Sequence, residues 1–154
     1  LNTRYGAKIT PVPYKSGSEG AVAVISGQVD GTSEASIVAL PHLKPGGKFK
    51  PLATTWVKRI SAYPELSTAT EQGFGELQIA HWAGIHAPTG VSTEIMDKLA
   101  AAVDAGMKSA VIQNRLKPMG IEPIGGTRAA FNEFVDAERA RLGGVVKASG
   151  MKDE

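Results

Sequence analysis

No cysteine occurs in the 154 residues, which removes a disulfide framework, a thiolate metal site and a cysteine nucleophile, and fits an oxidising compartment as well as a reducing one. An excess of one charge is missing too. The 17 Lys and Arg residues stand against 15 Asp and Glu, a net charge of +2, so no basic stripe marks a nucleic-acid partner. No apolar run approaches the roughly eighteen residues of a membrane span. Leu1 opens a polar stretch that has neither the basic nor the apolar region of a signal peptide. The chain as given is therefore expected to be soluble and to carry no address. What is present, 42% hydrophobic and 21% charged residues, is the composition of an ordinary globular domain with a core.

Strand and helix signals alternate along the first half. Residues 8 to 13 read as a short strand ending at a proline, after which Ser16 or Ser18 offers an N-cap to a helix with Ala21, Val22 and Ile25 on one side and Gly27 closing it. Residues 29 to 33 form a second expected strand, 36 to 43 a short helix stopped by Pro45-Gly46-Gly47, and 49 to 56 a third strand. Thr68 and Glu71 have capping-box spacing and predict a helical turn before Gly73. A long strand is expected over 77 to 87. This alternation implies an α/β layer architecture.

Beyond Pro88 helices dominate. Ser92 caps the first, with Glu94 in its first turn and Ile95, Leu99, Ala102 and Val103 as an apolar stripe that needs a partner surface. A shorter helix follows over 109 to 117, then a brief strand over 121 to 123. Thr127 caps a last helix whose Phe131, Phe134, Val135, Leu142, Val145 and Val146 read as core packing rather than a cofactor box. No cofactor is expected.

Several motifs invite chemistry and fall short of it. Pro45-Gly46-Gly47-Lys48 lacks the earlier glycine and the following Ser or Thr of a phosphate loop, so it reads as a turn. Gly31-Thr32-Ser33-Glu34-Ala35 is a near miss to a nucleophile elbow, with His81 or His86 as a conceivable base, but Ala35 replaces the final glycine. His42, His81 and His86 are too scattered for a metal site. Tyr14-Lys15-Ser16-Gly17 joins a strand end to a helix start, where amides, the Ser16 hydroxyl and the helix dipole suit a carboxylate, or else form an ordinary capped turn. Ser33 and Glu34 end the next strand on the same sheet edge, where open α/β sheets place ligands. Trp82 serves either hinge packing or ligand contact.

An ordered series of segments adds a resemblance: V-P-Y-K-S-G at 12 to 17, S-G-Q-V-D at 26 to 30, A-L-P-H-L-K-P-G-G-K at 39 to 48, P-E-L-S-T-A-T-E-Q-G at 64 to 73, W-A-G-I-H-A-P-T-G at 82 to 90, D-K-L at 97 to 99, R-L-K-P-M-G-I-E-P-I-G-G-T at 115 to 127 and V-V-K-A-S-G-M-K at 145 to 152. Together they resemble the C-terminal half of a tripartite tricarboxylate transporter substrate-binding protein, the Bug/TctC family.

That resemblance implies a two-lobe fold like a type II periplasmic binding protein, with residues 1 to 78 as most of lobe two and 79 to 154 as the crossover strand and C-terminal helical part of lobe one. It implies a periplasmic receptor, not an enzyme, which captures a small organic carboxylate in an interlobe cleft by hinge closure and delivers it to the membrane permease subunits. Its partners would include the missing N-terminal half of the same protein. The implied ligand-binding residues are Tyr14, Lys15, Ser16, Ser33, Glu34 and Trp82. Gly31, Thr32 and Ser33 stand before Glu34 where the family usually has bulky apolar residues. This more polar wall with a carboxylate suits a solute bearing hydroxyls or an amino group, or else Glu34 satisfies neighbouring backbone amides. Two other classes stay open: an interaction module without a small ligand, and a small serine hydrolase using Ser33.

Overall fold

A computed structural model describes residues 1 to 149; the last three residues of V-V-K-A-S-G-M-K lie outside the described residues. The helices are α1 (Asn2–Tyr5), α2 (Gly17–Ile25), α3 (Ser36–Ala39), α4 (Thr93–Lys108), α5 (Ala110–Leu116) and α6 (Arg128–Ser149), with 3-10 turns at Leu40–His42 and Lys117–Met119. The chain packs as two units. One comprises Leu1–Ile9, Ile85–Ser109 and the chain from Ile124 onward, the other Thr10–Gly84 and Ala110–Pro123. Both are discontinuous in sequence.

The unit of Thr10–Gly84 and Ala110–Pro123 is built around α2. Ser16 caps this helix, its Oγ accepting from the Glu19 amide at 3.3 Å, while Glu19 Oε2 accepts from the Lys15 amide at 3.2 Å. At the other end Gly27 turns left-handed (φ 75°), and the Gln28 amide donates to the Ala23 carbonyl at 2.9 Å. These bonds satisfy helix-end groups that would otherwise be left to water. Ala21 and Ala23 are buried, with Gly20, whereas Val22 is 63% exposed. The packed face of α2 is thus made of its smallest residues, and Val22 is not on it.

The expected Pro45-Gly46-Gly47 stop is a turn in which the Gly47 amide donates to the Lys44 carbonyl at 2.7 Å, with Gly46 at φ 81°. Gly120, left-handed at φ 70°, seats the chain after α5 on α3: a β-carbon there would lie 2.6 Å from Ser36 Cβ and 2.8 Å from Leu40 Cδ1. The Ser61 hydroxyl donates to Glu122, tying the same segment down.

The segments expected as strands, 8 to 13, 29 to 33, 49 to 56, 77 to 87 and 121 to 123, are irregular, and no strand occurs among the described residues. What pairing there is gathers at Thr54 and Thr55. Thr54 forms a parallel bridge with Thr68, its carbonyl accepting from the Ala69 amide at 2.8 Å. The Thr55 carbonyl accepts from the Ile79 amide at 3.0 Å, and its hydroxyl donates back to the Ile79 carbonyl at 2.6 Å. β-Branched composition prepares a segment for a sheet, but a ladder exists only where a neighbouring segment lies alongside to exchange hydrogen bonds.

The buried residues nearby are Ile60, Thr68 and Ala69. Above them the Thr68–Glu71 capping box is complete: the Glu71 amide donates to Thr68 Oγ1 at 3.0 Å and the Thr68 amide to Glu71 Oε2 at 2.6 Å. Arg59 Nε donates to both Glu71 oxygens at 3.0 Å, and its Nη1 to the Pro64 carbonyl at 3.0 Å.

In the other unit α4 starts at Ser92, whose Oγ accepts from the Ile95 amide at 3.4 Å, and α6 at Thr127, whose Oγ1 accepts from the Ala130 amide at 3.1 Å. Asp104 on α4 accepts from the Gly126 amide at 2.8 Å and pairs with Lys108 at 2.7 Å, which fixes the entry to α6. His86 lies on Phe131, ring centroids 5.3 Å apart, and Phe131 on Phe134 at 6.5 Å. Phe131, Phe134, Val135 and Leu142 are only half-buried, and Val145 and Val146 are 55% and 45% exposed. The core expected around α6 is therefore only partly closed. Among the described residues no helix is long and apolar enough to cross a membrane.

Candidate functional site

The first turn of α2 is where the expected ligand residues meet. Gly20 has no side chain at a helix position facing residues 32 to 34. A β-carbon there would lie 2.9 Å from Glu34 Oε1, 3.3 Å from Thr32 Oγ1 and 3.8 Å from the Tyr14 ring. One β-carbon's width thus separates α2 from three polar side chains. A β-carbon on Gly17 would likewise collide with the Glu34 carboxylate. Thr32 Oγ1 donates to Glu34 Oε1 at 2.6 Å and holds that carboxylate over the helix end.

Four of the expected site residues therefore converge: Tyr14, Lys15 and Ser16 by leading into the helix, and Glu34 by reaching back over it. Lys15 contributes its backbone amide to Glu19, and its ammonium makes no ion pair among the described residues. Ser33 is exposed between Thr32 and Glu34. No histidine or carboxylate hydrogen-bonds it among the described residues, so the hydroxyl has no base beside it. Trp82 is 41% exposed and is not one of the side chains that gather over α2. Thr32 and Gly20 belong to the cluster and were not singled out as site residues. A glycine inside a helix is the one sequence signal that marks such a close approach.

Electrostatically the turn is mixed. The amides of Gly17 and Ser18, in the first turn of α2, take no hydrogen bond among the described residues, and together with the helix dipole they attract negative charge. Glu34 and Glu19 already supply two carboxylates to that end. A shallow groove of about 420 Å³ runs along the helix from here, lined by Tyr14, Ser18, Glu19, Val22, Ala23 and Gln28. Its chemistry is that of hydrogen-bond donors and acceptors beside an apolar strip.

A larger groove of about 560 Å³ lies in the other unit, lined by Met96, Asp97, Thr127, Arg128, Ala129 and Asn132. There the Arg128 guanidinium is 3.3 Å from Asp97, and the Thr127 hydroxyl is spent on capping. The charge an anion would seek is thus already matched, and size alone does not make this groove the better candidate. Among the described residues no three His, Asp or Glu side chains gather in a way that would hold a metal ion.

Residues 1–151 match the family model described as tripartite tricarboxylate transporter family receptor. Protein BugT of Bordetella pertussis is 27% identical over 149 residues, covering 97% of this chain and 45% of that protein. The R. palustris protein Rpa4515, solved with adipate, superimposes with a TM-score of 0.84 at 34% identity, over 97% of this chain and 50% of that one. The periplasmic binding protein BugD superimposes with a TM-score of 0.80 at 24% identity, over 99% of this chain and 52% of that one. The chain thus spans about half the length of each of these three proteins. Its fold is that of half a two-lobe periplasmic binding protein.

Proposed function

Since the chain belongs to the tripartite tricarboxylate transporter receptor family, we propose that it is part of a periplasmic solute-binding receptor for a small organic carboxylate, and that the receptor hands its ligand to membrane permease subunits without making or breaking a bond. The observation that carries this reading is the convergence of Tyr14, Ser16, Thr32 and Glu34 on the first turn of α2, beside the unused amides of Gly17 and Ser18. Backbone amides at a helix start bind a carboxylate with charge-assisted hydrogen bonds. Adipate, present in the Rpa4515 structure, is a dicarboxylate and the natural first ligand to test.

Glu34 sets the kind of carboxylate. A ligand group next to it meets a fixed negative charge and an acceptor, so a hydroxyl or ammonium is favoured there over a second carboxylate. The solute is accordingly a hydroxy- or amino-carboxylate held by its carboxylate at Gly17 and Ser18 and by its donor at Glu34. Ser16, Lys15 and Tyr14 line its approach, with Ser33 beside Glu34. The other wall comes from the half of the fold that this chain does not span.

Isothermal titration of the complete receptor with adipate, a hydroxy-dicarboxylate and an amino-dicarboxylate tests this. Tightest binding of a ligand carrying the hydroxyl or amine is expected. Failure of all three to bind would remove the carboxylate reading.

A further inference from the structure

Asp30-Gly31 stands immediately before the polar wall that Thr32 and Glu34 form over α2. Ring closure at an aspartate needs a following amide nitrogen free to attack the side-chain carboxyl carbon, a backbone able to turn the two toward each other, and no bulk on the following residue. All three conditions are met here. Asp30 and Gly31 are exposed and lie outside any helix. Among the described residues the Gly31 amide donates no hydrogen bond, and the Asp30 carboxylate makes neither an ion pair nor a hydrogen bond. Beyond the chain neighbours, no atom lies within 4 Å of where a β-carbon on Gly31 would be.

The other described Asp and Asn residues are held differently. Asn2, Asp97, Asp104, Asn114, Asn132 and Asp136 all lie in helices, where regular dihedrals and the hydrogen-bond ladder keep the following nitrogen away from the side-chain carbon. Several are engaged as well. Asn2 bonds both the amide and the carbonyl of Ile9, Asp104 accepts from the Gly126 amide and pairs with Lys108, and Asp97 pairs with Arg128. Among the described residues Asp30 alone combines an irregular backbone, a free carboxylate and a glycine after it.

We infer that Asp30-Gly31 is a site of spontaneous backbone isomerisation that displaces Glu34 from the first turn of α2. The Gly31 nitrogen bonds to Asp30 Cγ, and one carboxyl oxygen leaves as water, carrying the amide proton and a proton from solvent. A cyclic imide results. Water then opens it at Cγ, which restores aspartate, or at the former backbone carbonyl, which leaves a carboxylate on Cα and routes the chain through Cβ and Cγ. Water is the only co-reactant and nothing is oxidised. The isomer lengthens the backbone by one carbon–carbon bond, about 1.5 Å, directly ahead of Thr32. Glu34 Oε1 lies 2.6 Å from Thr32 Oγ1 and 2.9 Å from the position of a β-carbon on Gly20, so a shift of that size breaks the arrangement. The modification depends on no ligand; only its bearing on solute choice rests on the carboxylate reading above.

The test keeps the complete receptor for several weeks in warm neutral buffer beside a peptide of residues 26 to 34, then digests both and fragments them by electron transfer, whose backbone ions tell isoaspartate from aspartate. Conversion at Asp30 in the folded receptor is expected within about tenfold of the peptide's rate, because nothing in the fold protects it. Gly31→Ala, for which there is open space and an ordinary φ, should slow it about tenfold by adding bulk at the attacking residue. Asp97, Asp104 and Asp136 should stay unconverted. Amide NMR of the aged receptor should show Gly20 in two environments, in proportion to the isoaspartate measured. Conversion more than tenfold slower than in the peptide overturns the inference, as does equal conversion at the helical aspartates, which would trace it to unfolded chain. A single Gly20 resonance in converted receptor overturns the displacement of Glu34. Failure of the receptor to bind any carboxylate would sink the solute reading and change none of these readouts.

Discussion

The carboxylate of Glu34 stands over Gly20, its Oε1 2.9 Å from where a β-carbon would be. Ordinary van der Waals contact does not allow that approach, yet what must move is the far end of a flexible side chain rather than backbone. Gly20→Ala also restores helix propensity, a gain of about 1 kcal/mol in a helix interior. The expected outcome is a melting temperature changed by only a few degrees, together with a displaced Glu34 and loss of its bond from Thr32. Thermal melts paired with ligand titration check this. A large loss of stability would mean that the Glu34 position is rigidly enforced.

Removing the charge instead of the space gives the complementary result. Glu34→Gln keeps the shape and the acceptor toward Thr32 but takes one negative charge from the end of α2. Adipate should then bind about tenfold more tightly, a change of about 1.4 kcal/mol, and an amino-dicarboxylate about tenfold more weakly. Titration of both ligands against the complete receptor reads the two shifts. Parallel changes in the two affinities would show that Glu34 does not face the ligand.

Glu71 is held below its ordinary pKa of 4.5, first by the hydrogen bond from Arg59 and then by the Thr68 amide; the Arg59 guanidinium is correspondingly raised. Because the folded value is the lower one, the stabilisation from Glu71 is present above pH 4.5 and is lost as pH falls through that lowered value. Urea unfolding midpoints of the native chain and of Glu71→Gln should therefore differ at pH 7 and converge in acid. Thr68→Ala, which removes a buried cap, should cost about 1 kcal/mol at neutral pH. A native chain with the same acid sensitivity as Glu71→Gln would show that the network is not maintained in solution.

These local arrangements differ in how far the sequence discloses them. Ser16, Ser92 and Thr127 announce their helices because a cap is a contact between residues three apart, and Thr68 with Glu71 is legible for the same reason. The meeting of Gly20 with Thr32 and Glu34 spans a turn of unknown path, so only the glycine hints at it. Strand signals at 8 to 13, 29 to 33, 49 to 56 and 77 to 87 record a preference, and the preference becomes pairing only with a neighbour, which Thr54 finds in Thr68 and Thr55 in Ile79. Ile95 and Leu99 lie on α4 as their spacing predicts, but periodicity does not say which apolar residues of a helix meet their own chain, and both are exposed. Val22 makes the same point on α2, where the residues that pack are Gly20, Ala21 and Ala23. The resemblance of whole segments carried what spacing could not, namely the family and the fold.

The 154-residue chain alone should bind a carboxylate no more tightly than millimolar. A micromolar complex requires about 8 kcal/mol, and a hydrogen bond to a charged group contributes about 1.5 to 3 kcal/mol. The first turn of α2 offers the amides of Gly17 and Ser18, since the Glu19 amide is already used by Ser16. Two such bonds supply about 3 to 6 kcal/mol, from which ordering costs are subtracted and against which the charges of Glu34 and Glu19 act. A single open wall also leaves the ligand in water, where each of these bonds competes with solvent. NMR titration with adipate, read at the Gly17 and Ser18 amides, should give shifts that have not saturated at millimolar ligand. Micromolar saturation at those amides would mean that this wall suffices without the remainder of the fold, and would sink the two-walled reading of the site.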